Sequence, residues 1–242
     1  MGQLTGQTAV VTGGGRGIGE TIARRLAIEG ARVIIAGRTR SNLERVARET
    51  GGACEVCDVT VPEQVEGLAR AAGRVDILVN NAGIADSAPI TKMDLAFWRR
   101  IMDTNVTSAF LLCRAIVPVM MERKYGRIVN IASMAGKQGV PYASAYTASK
   151  HALLGLTRSL AMELERNGIL VNAVCPGYVD TDMTRSGVER VAKFTGRPVE
   201  EVRKTFLETA GQTQMVSADA VAEATVSLAL PGCSRTGDAI DV

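Results

Sequence analysis

Six short runs rich in Val and Ile, none of them alternating apolar with polar residues, constrain this chain's fold more than any other feature. They are Thr8–Thr12 (TAVVT), Arg32–Gly37 (RVIIAG), Ala53–Val59 (ACEVCDV), Asp76–Asn80 (DILVN), Gly126–Ala132 (GRIVNIA) and Ile169–Gly177 (ILVNAVCPG). A strand with one wet face alternates, whereas a strand covered on both faces reads as a continuous apolar run, as in parallel sheets. Helical patterns lie between the runs. Gly17–Glu29 repeats Ile18, Ile22 and Leu26 at four-residue spacing, and Ser41 with Glu44 reads as a capping box. Asp94–Met121 and Ser144–Arg166 are long helical patterns, and Ser217 reads as the cap of Ala218–Leu230. Strand and helix alternate throughout, which is the signature of a doubly wound α/β domain around a parallel sheet. No linker, repeat or low-complexity tract divides residues 1–242, so one domain is expected. Residues 181–214 break the rhythm, with no strand and two amphipathic helical patterns around Gly196–Pro198. The segment follows a strand's carboxyl end, where open sheets bind ligands, and reads as a helical lid over a substrate.

Composition removes several chemistries. The chain has one histidine, His151, so a His-Glu-His zinc site or any multi-histidine metal centre is excluded, and a Ser-His-Asp triad would have to use that residue. No metal is expected. His151 follows Lys150 and sits about 100° from it around a helix, a packing or interface position. Lys and Arg number 28 against 25 Asp and Glu, a net charge of +3 that gives no reason to expect nucleic acid as a partner. The most apolar stretch, Ala109–Met121, is broken by Arg114 and Pro118, so no membrane span is expected. No signal-like segment precedes the first strand, and Gly6 stands where a myristoylation motif has Ser or Thr, so the expected address is cytoplasmic. The five cysteines are odd in number and set in apolar surroundings, which suits a reducing compartment. Cys54 and Cys57 form a lone C-x-x-C that reads as buried sheet residues on opposite faces rather than a redox pair.

The link between the first strand and first helix is TGGGRGIG, Thr12–Gly19. Such glycines permit a sharp turn, let a pyrophosphate approach the backbone and place it at a helix N-terminus, although a tight turn alone has the same composition. The spacing Gly13, Gly17, Gly19 departs from strict G-x-G-x-x-G. An acidic residue at the end of the second strand would hold the ribose hydroxyls of NAD. Here Gly37 is followed by Arg38, Thr39 and Arg40. Arg38 suits a 2′-phosphate and favours NADP over NAD; the competing reading is a solvated turn. Tyr146 and Lys150 form an i, i+4 pair on one helical face. An ammonium beside a phenol lowers the phenol's pKa towards neutrality, so such a tyrosine can exchange a proton near pH 7.

Taken in order, TGGGRGIG at 12–19, DV at 58–59, NNAG at 80–83, Asn105 in DTNVTS, Ser133 after IVNIA, Tyr146 with Lys150, and PGYVDT at 176–181 resemble the short-chain dehydrogenase/reductase family along nearly the whole chain. The resemblance implies a Rossmann fold and a catalytic set of Asn105, Ser133, Tyr146 and Lys150. In that set Ser133 hydrogen-bonds a substrate carbonyl oxygen, Tyr146 protonates it, Lys150 holds the nicotinamide ribose and tunes Tyr146, and Asn105 holds a water linking Lys150 to solvent. It further implies cofactor contacts from Gly13, Gly15, Arg16, Gly17, Ile18 and Gly19, from Arg38 and Thr39, and from Asp58 and Val59. Asn81, Ala82, Gly83, Tyr146, Lys150, Pro176, Gly177, Val179 and Thr181 complete the implied cofactor set. Within the family the chain is most similar to 3-oxoacyl reductases and polyketide ketoreductases. Its lid segment is similar to that of 3-hydroxybutyrate dehydrogenases, but Ala135 and Ala143 stand where that subgroup has the His and Lys for a free carboxylate. Lys137, Gln138 and Tyr142 are candidate substrate contacts. The expected activity is NADPH-dependent reduction of a 3-oxoacyl thioester or related ketone. The alternatives are an NAD-dependent secondary-alcohol or 3-hydroxyacyl dehydrogenase and a non-catalytic dinucleotide-sensing regulator. The family pattern continues past its last strand with a DGG turn and tail that this sequence lacks after Asp241–Val242. The long apolar helices are still expected to pack across a two-fold axis, in a homotetramer or homodimer.

Overall fold

In the computed structural model, which describes residues 2–242, the apolar runs become strands and the stretches between them helices. The order is β1 (Thr8–Thr12), α1 (Gly17–Ile28), β2 (Arg32–Gly37), α2 (Arg40–Thr50), β3 (Ala53–Val56), α3 (Pro62–Ala72), β4 (Ile77–Asn80) and α4 (Leu95–Met102). It continues with α5 (Ser108–Arg123), β5 (Gly126–Ile131), α6 (Ser144–Leu164), β6 (Ile169–Cys175), α7 (Asp182–Thr195), α8 (Val199–Thr209), α9 (Ala218–Ala229) and β7 (Ala239–Asp241). The strands form one sheet in the order β3-β2-β1-β4-β5-β6-β7. Every neighbouring pair is parallel. The chain winds outward from β1 to β3, then crosses to β4 on the other side of β1. That reversal opens a crevice at the carboxyl ends of β1 and β4.

Both faces of the sheet are covered, which explains the unbroken apolar runs. Ala9 and Val11 pack with Ile35 and Val79 against Ile22 of α1 and Val221 of α9. Val10, one residue on, points the other way and packs with Leu78 and Ile128 against Leu68 of α3 and Leu112 of α5. Each such large side chain contributes about 1.5–3 kcal/mol when fully buried. Cys54 packs into the first of these cores and Cys57 into the second, and both thiols are free.

The structure departs from the sequence reading in several places. α2 starts at Arg40 with Thr39 at the cap position, so Ser41 lies inside the helix and forms no capping box. β3 ends at Val56 rather than Val59. The Asp58 carboxylate there accepts the Thr60 amide at 3.0 Å and hydroxyl at 2.7 Å, while the Asp58 amide donates to the Gln64 side chain. A local turn has taken over the ladder's partners. α3 and β7 are additions: Pro62 opens α3 at its first turn, and β7 is a three-residue strand paired with β6. Asp94 caps α4 through the Phe97 amide at 2.7 Å. From there Leu95–Arg123 is one continuous 29-residue helix, interrupted only by a π-turn at Asp103–Thr107. By length and composition it suffices to cross a membrane, contrary to the expectation from Arg114 and Pro118. Half of its apolar window is buried inside this fold, where α5 packs on α3, α6 and β5.

At the amino ends of the strands, opposite the crevice, Asp76 is fully buried. Its carboxylate accepts the Thr8 amide at 2.9 Å, Arg74 Nε at 3.0 Å and Arg123 Nη2 at 2.7 Å. Burial alone would raise this carboxyl, but these donors outweigh it and hold the pKa below the usual range. A depressed folded pKa contributes stability that is complete above the unfolded value and is lost as pH falls through the folded value. Asp76→Ala should therefore lower stability in urea unfolding at pH 7 by about 2–3 kcal/mol, less than for a fully buried pair because both arginines keep some water. The difference from wild type should narrow as the pH falls below the carboxylate range. An unchanged unfolding midpoint at pH 7 would remove Asp76 from the stabilising set.

Candidate active site

The crevice is built around a close approach of the connections that follow β1 and β4. Gly13 has a left-handed φ of +64°, and a Cβ on Gly19 would lie 2.4 Å from both the Asn81 side-chain nitrogen and the Gly13 carbonyl oxygen. Only glycine fits there. The Thr12 hydroxyl accepts the amides of Asn81 and Ala82, each at 3.1 Å, and Asn81 Nδ2 donates to the Thr12 carbonyl at 2.9 Å. The NNAG segment after β4 is thus strapped to the glycine loop, and the Asn81 side chain shapes that loop. Thr12 was not singled out in the sequence; its position as the last residue of β1, before three glycines, is the signal for it. Arg45 Nη2 donates to the Gly15 carbonyl at 3.3 Å and pairs with Glu20 at 2.6 Å, and these contacts lower the Glu20 pKa. Arg16 stands exposed before α1, and no side chain caps that helix, so its first amides face the loop.

Arg38 and Thr39 are exposed beyond β2. Hydrogen bonds from Thr60, and after them the charge of Arg38, hold Asp58 below the usual carboxylate range. Val59, beside it, is buried. The glycine cradle and the uncapped start of α1 together fit a dinucleotide cofactor, with the Arg38 guanidinium exposed at the end of β2.

The four candidate catalytic residues converge at the carboxyl ends of β4, β5 and β6. The π-turn inserts an extra residue into the long helix and turns Asn105 inward, to 2% exposure. Its Oδ1 accepts the Ile84 amide at 2.8 Å, and its Nδ2 donates to the Ile84 carbonyl and to Ser149 Oγ, both at 3.0 Å. Ser149 in turn donates to the Tyr146 carbonyl at 2.7 Å, a link that sequence reading missed. A Cβ on Gly83 would lie 3.3 Å from Asn105 Oδ1 and 3.8 Å from Lys150 Nζ, so Gly83 sits against both. Lys150 is buried and donates from Nζ to the Ile131 carbonyl at 2.8 Å, with Nζ 5.7 Å from the centre of the Tyr146 ring. Ser133 caps a 3-10 turn, Met134–Gly136, and its Oγ accepts the Ala135 amide at 3.1 Å.

Electrostatics correct one expectation. Burial pushes the Tyr146 phenol up, and a hydrogen bond with Ser133 only partly opposes it. Burial also pulls the Lys150 ammonium down, to about 8. The phenol is not brought towards neutrality, because desolvation is the largest effect on both groups and the ammonium is directed at a backbone carbonyl. In this arrangement the Tyr146 phenol holds its proton, and Lys150 carries its charge only below about pH 8.

On the other wall, Pro176 accepts the Met134 amide at 2.9 Å, and a Cβ on Gly177 would lie 2.5 Å from Gln212 Oε1. Gln212 Oε1 accepts the Tyr178 amide at 2.8 Å and so fastens the end of α8 to the segment after β6; nothing in the sequence pattern marks it. Val179 is buried and bridges to Val216, while Thr181 caps α7 and lies 3.7 Å from where a Cβ of Gly17 would be. The two lid helices share a small core of Val188, Ala192 and Val202. Asp86, after β4, joins Arg190 of α7 to Arg100 of α4. Of the candidate substrate contacts, Gln138 and Tyr142 are exposed, Tyr142 with a φ of +62° and its carbonyl accepting the Ala88 amide. Lys137 is directed away from Tyr146, onto β7. His151 is exposed, with Nδ1 against the Thr147 carbonyl.

Comparison with known proteins agrees with this geometry. The family model described as short chain dehydrogenase matches residues 7–192. The granaticin polyketide synthase putative ketoacyl reductase 1 of Streptomyces violaceoruber is 44% identical, over 76% of this chain and 72% of its own. A 3-oxoacyl-[acyl-carrier-protein] reductase of Vibrio cholerae is 40% identical, over 76% of this chain and 78% of its own. A solved variant of actinorhodin polyketide ketoreductase with NADPH superposes with a TM-score of 0.91 at 39% identity, covering 100% of this chain and 97% of that one. The crevice at the β1/β4 crossover, the glycine cradle and the inward cluster of Asn105, Ser133, Tyr146 and Lys150 therefore belong to a member of the short-chain dehydrogenase family, an oxidoreductase that interconverts a ketone and a secondary alcohol with a nicotinamide cofactor.

Proposed function

We propose that this enzyme reduces a 3-oxoacyl thioester or a closely related ketone with NADPH. The observation that carries the reading is the placement of the Ser133 and Tyr146 hydroxyls beside each other, next to a buried Lys150. Relatives that act on ketoacyl groups support the substrate class. The glycine loop and the first turn of α1 would hold the pyrophosphate, Arg38 the 2′-phosphate, and Tyr146 with Lys150 the nicotinamide ribose. When bound, the nicotinamide supplies hydride to the carbonyl carbon. Negative charge then develops on the carbonyl oxygen, where Ser133 donates a hydrogen bond and Tyr146 delivers the proton. A raised phenol pKa keeps that proton in place until charge appears on the substrate. Lys150, charged below about pH 8, stabilises the phenolate left behind. Ala135 and Ala143 provide no cation for a free carboxylate, which favours a thioester.

The enzyme is also proposed to assemble as a homotetramer through the outer faces of α5 and α6, where Phe110, Val119, Met121 and Met162 are exposed. With a chain of 25.6 kDa, light scattering on the eluting protein should report about four times that mass. A monomeric mass would remove the assembly.

Tyr146→Phe should lower kcat/KM for NADPH-linked reduction of acetoacetyl-CoA by about 10²–10⁴-fold, with NADPH binding retained in a fluorescence titration. Wild-type rates in that variant would overturn the proton-donor role. Arg38→Asp should cut the ratio of kcat/KM with NADPH to that with NADH by about 10- to 100-fold, the loss of one charge-assisted contact. A ratio that does not move would leave NAD as the better assignment.

A further inference from the structure

The turn that presents Ser133 is a single 3-10 turn of three residues, too short to hold its own geometry. It is gripped from two sides. On one side Gly136 lies so close to α6 that a Cβ there would be 2.9 Å from the Lys150 carbonyl oxygen. On the other, Lys137 leaves the turn and reaches the last strand. Its Nζ donates to the Ala239 carbonyl at 2.8 Å and to the Asp241 carboxylate. β7 is itself registered on β6, with Ala239 opposite Ala173 and Asp241 opposite Cys175. The amide of Gly177 donates to the Val242 carbonyl at 2.9 Å, so the same strand end also steadies the segment after β6. Burial raises the Cys175 thiol, which lies opposite Asp241 in the β6–β7 register.

We propose that Lys137 and Asp241 are positioning residues, forming a clasp that ties the Ser133 turn to β7 and so sets where the Ser133 hydroxyl meets the substrate. The inference rests on the role given to Ser133 above. In this arrangement two of the three donors of the Lys137 ammonium are directed to β7, at the Ala239 carbonyl and the Asp241 carboxylate. Its side chain is 28% exposed and that of Asp241 55%, so the pair adds little to global stability and its effect is local. The link to the hydroxyl is short: the amide of Ala135, two residues before Lys137, donates to Ser133 Oγ. A turn that drifts carries that hydroxyl with it, and misplacement by about 1 Å is enough to lower turnover by as much as 10²-fold.

The test combines steady-state kinetics of Lys137→Met, Asp241→Asn and Lys137→Arg with hydrogen–deuterium exchange of the peptide spanning 133–138 in the same proteins without substrate. The clasp predicts that kcat with NADPH and acetoacetyl-CoA falls about tenfold in the Met and Asn variants. KM should stay within about twofold, and Lys137→Arg should keep most of the activity. Lys137→Met should add no further loss to Ser133→Ala, because both act through one hydroxyl. Exchange at 133–138 should quicken in the Met and Asn variants and not in the Arg variant. A raised KM in Lys137→Met with Asp241→Asn unaffected would make Lys137 a substrate contact and overturn the clasp. Lower melting temperature with unchanged kcat, or unchanged exchange, would overturn it as well. If the wild-type protein reduced no ketone, the function proposed above would fall, while the exchange comparison would still decide whether the clasp exists.

Discussion

The hydroxyl of Thr12 accepting two successive amides, Asn81 and Ala82, is the contact on which the rest of the crevice depends. It joins the end of β1 to the end of β4, the point where the chain reverses its direction of winding. A glycine at position 19 is required because the Asn81 side chain fills the space a Cβ would take. Backbone amides at the start of α1 are thereby brought to the same place as the segment that leads to Asn105 and Lys150. The glycine cradle and the cluster around Asn105 and Lys150 thus share one wall.

The second constraint is the cost of burying ionisable groups. Lys150 is buried beside Tyr146, and its ammonium is satisfied by the Ile131 carbonyl at the end of β5. That hydrogen bond fixes the lysine's direction but does little to offset desolvation, so its pKa falls to about 8. The π-turn answers a related problem for Asn105. A regular helix would not turn that amide onto both Ile84 and Ser149. At the amino ends of the strands Asp76 is equally buried but sits among three donors, and there the donors win over desolvation. The difference between the two ends is one of supply: the stabilising end satisfies its charge, and the reacting end leaves it partly unsatisfied.

Periodicity made six of the seven strands readable. The bounds of β1 and β2 coincide with their apolar runs, and Ser217 caps α9 through the Ala220 amide at 3.1 Å. The site residues were readable because their spacing is set by elements of regular geometry, as with Tyr146 and Lys150 one helical turn apart. What the sequence hid depends on long-range contacts. α3 carries Gly67 and a mixed charge pattern, and β7 is only three residues long, which is too short for any periodicity to register. Ser41 has the composition of a cap, but the helix starts one residue earlier. The direction of the Lys137 side chain is decided by Asp241, 104 residues away, and no local pattern encodes it.

The helices over the crevice follow a different physical rule from the body. α7 and α8 rest on a small core of Val188, Ala192 and Val202, separate from the two large cores on the faces of the sheet. They are fastened to the body by a few polar or aromatic contacts: Asp86 with Arg190, Gln212 with Tyr178, and the Tyr178 and Phe206 rings 5.1 Å apart. Segments with little buried apolar area open at lower free energy than the core. None of these fastening contacts falls within β4, β5 or β6, the strands whose carboxyl ends carry the candidate site. Asp86 lies on the same segment as Gly83 and pairs with both α4 and α7. The loop that follows Gly83 therefore also ties α7 to α4, and the attachment of the two outer helices rests in part on one carboxylate shared between them and the body.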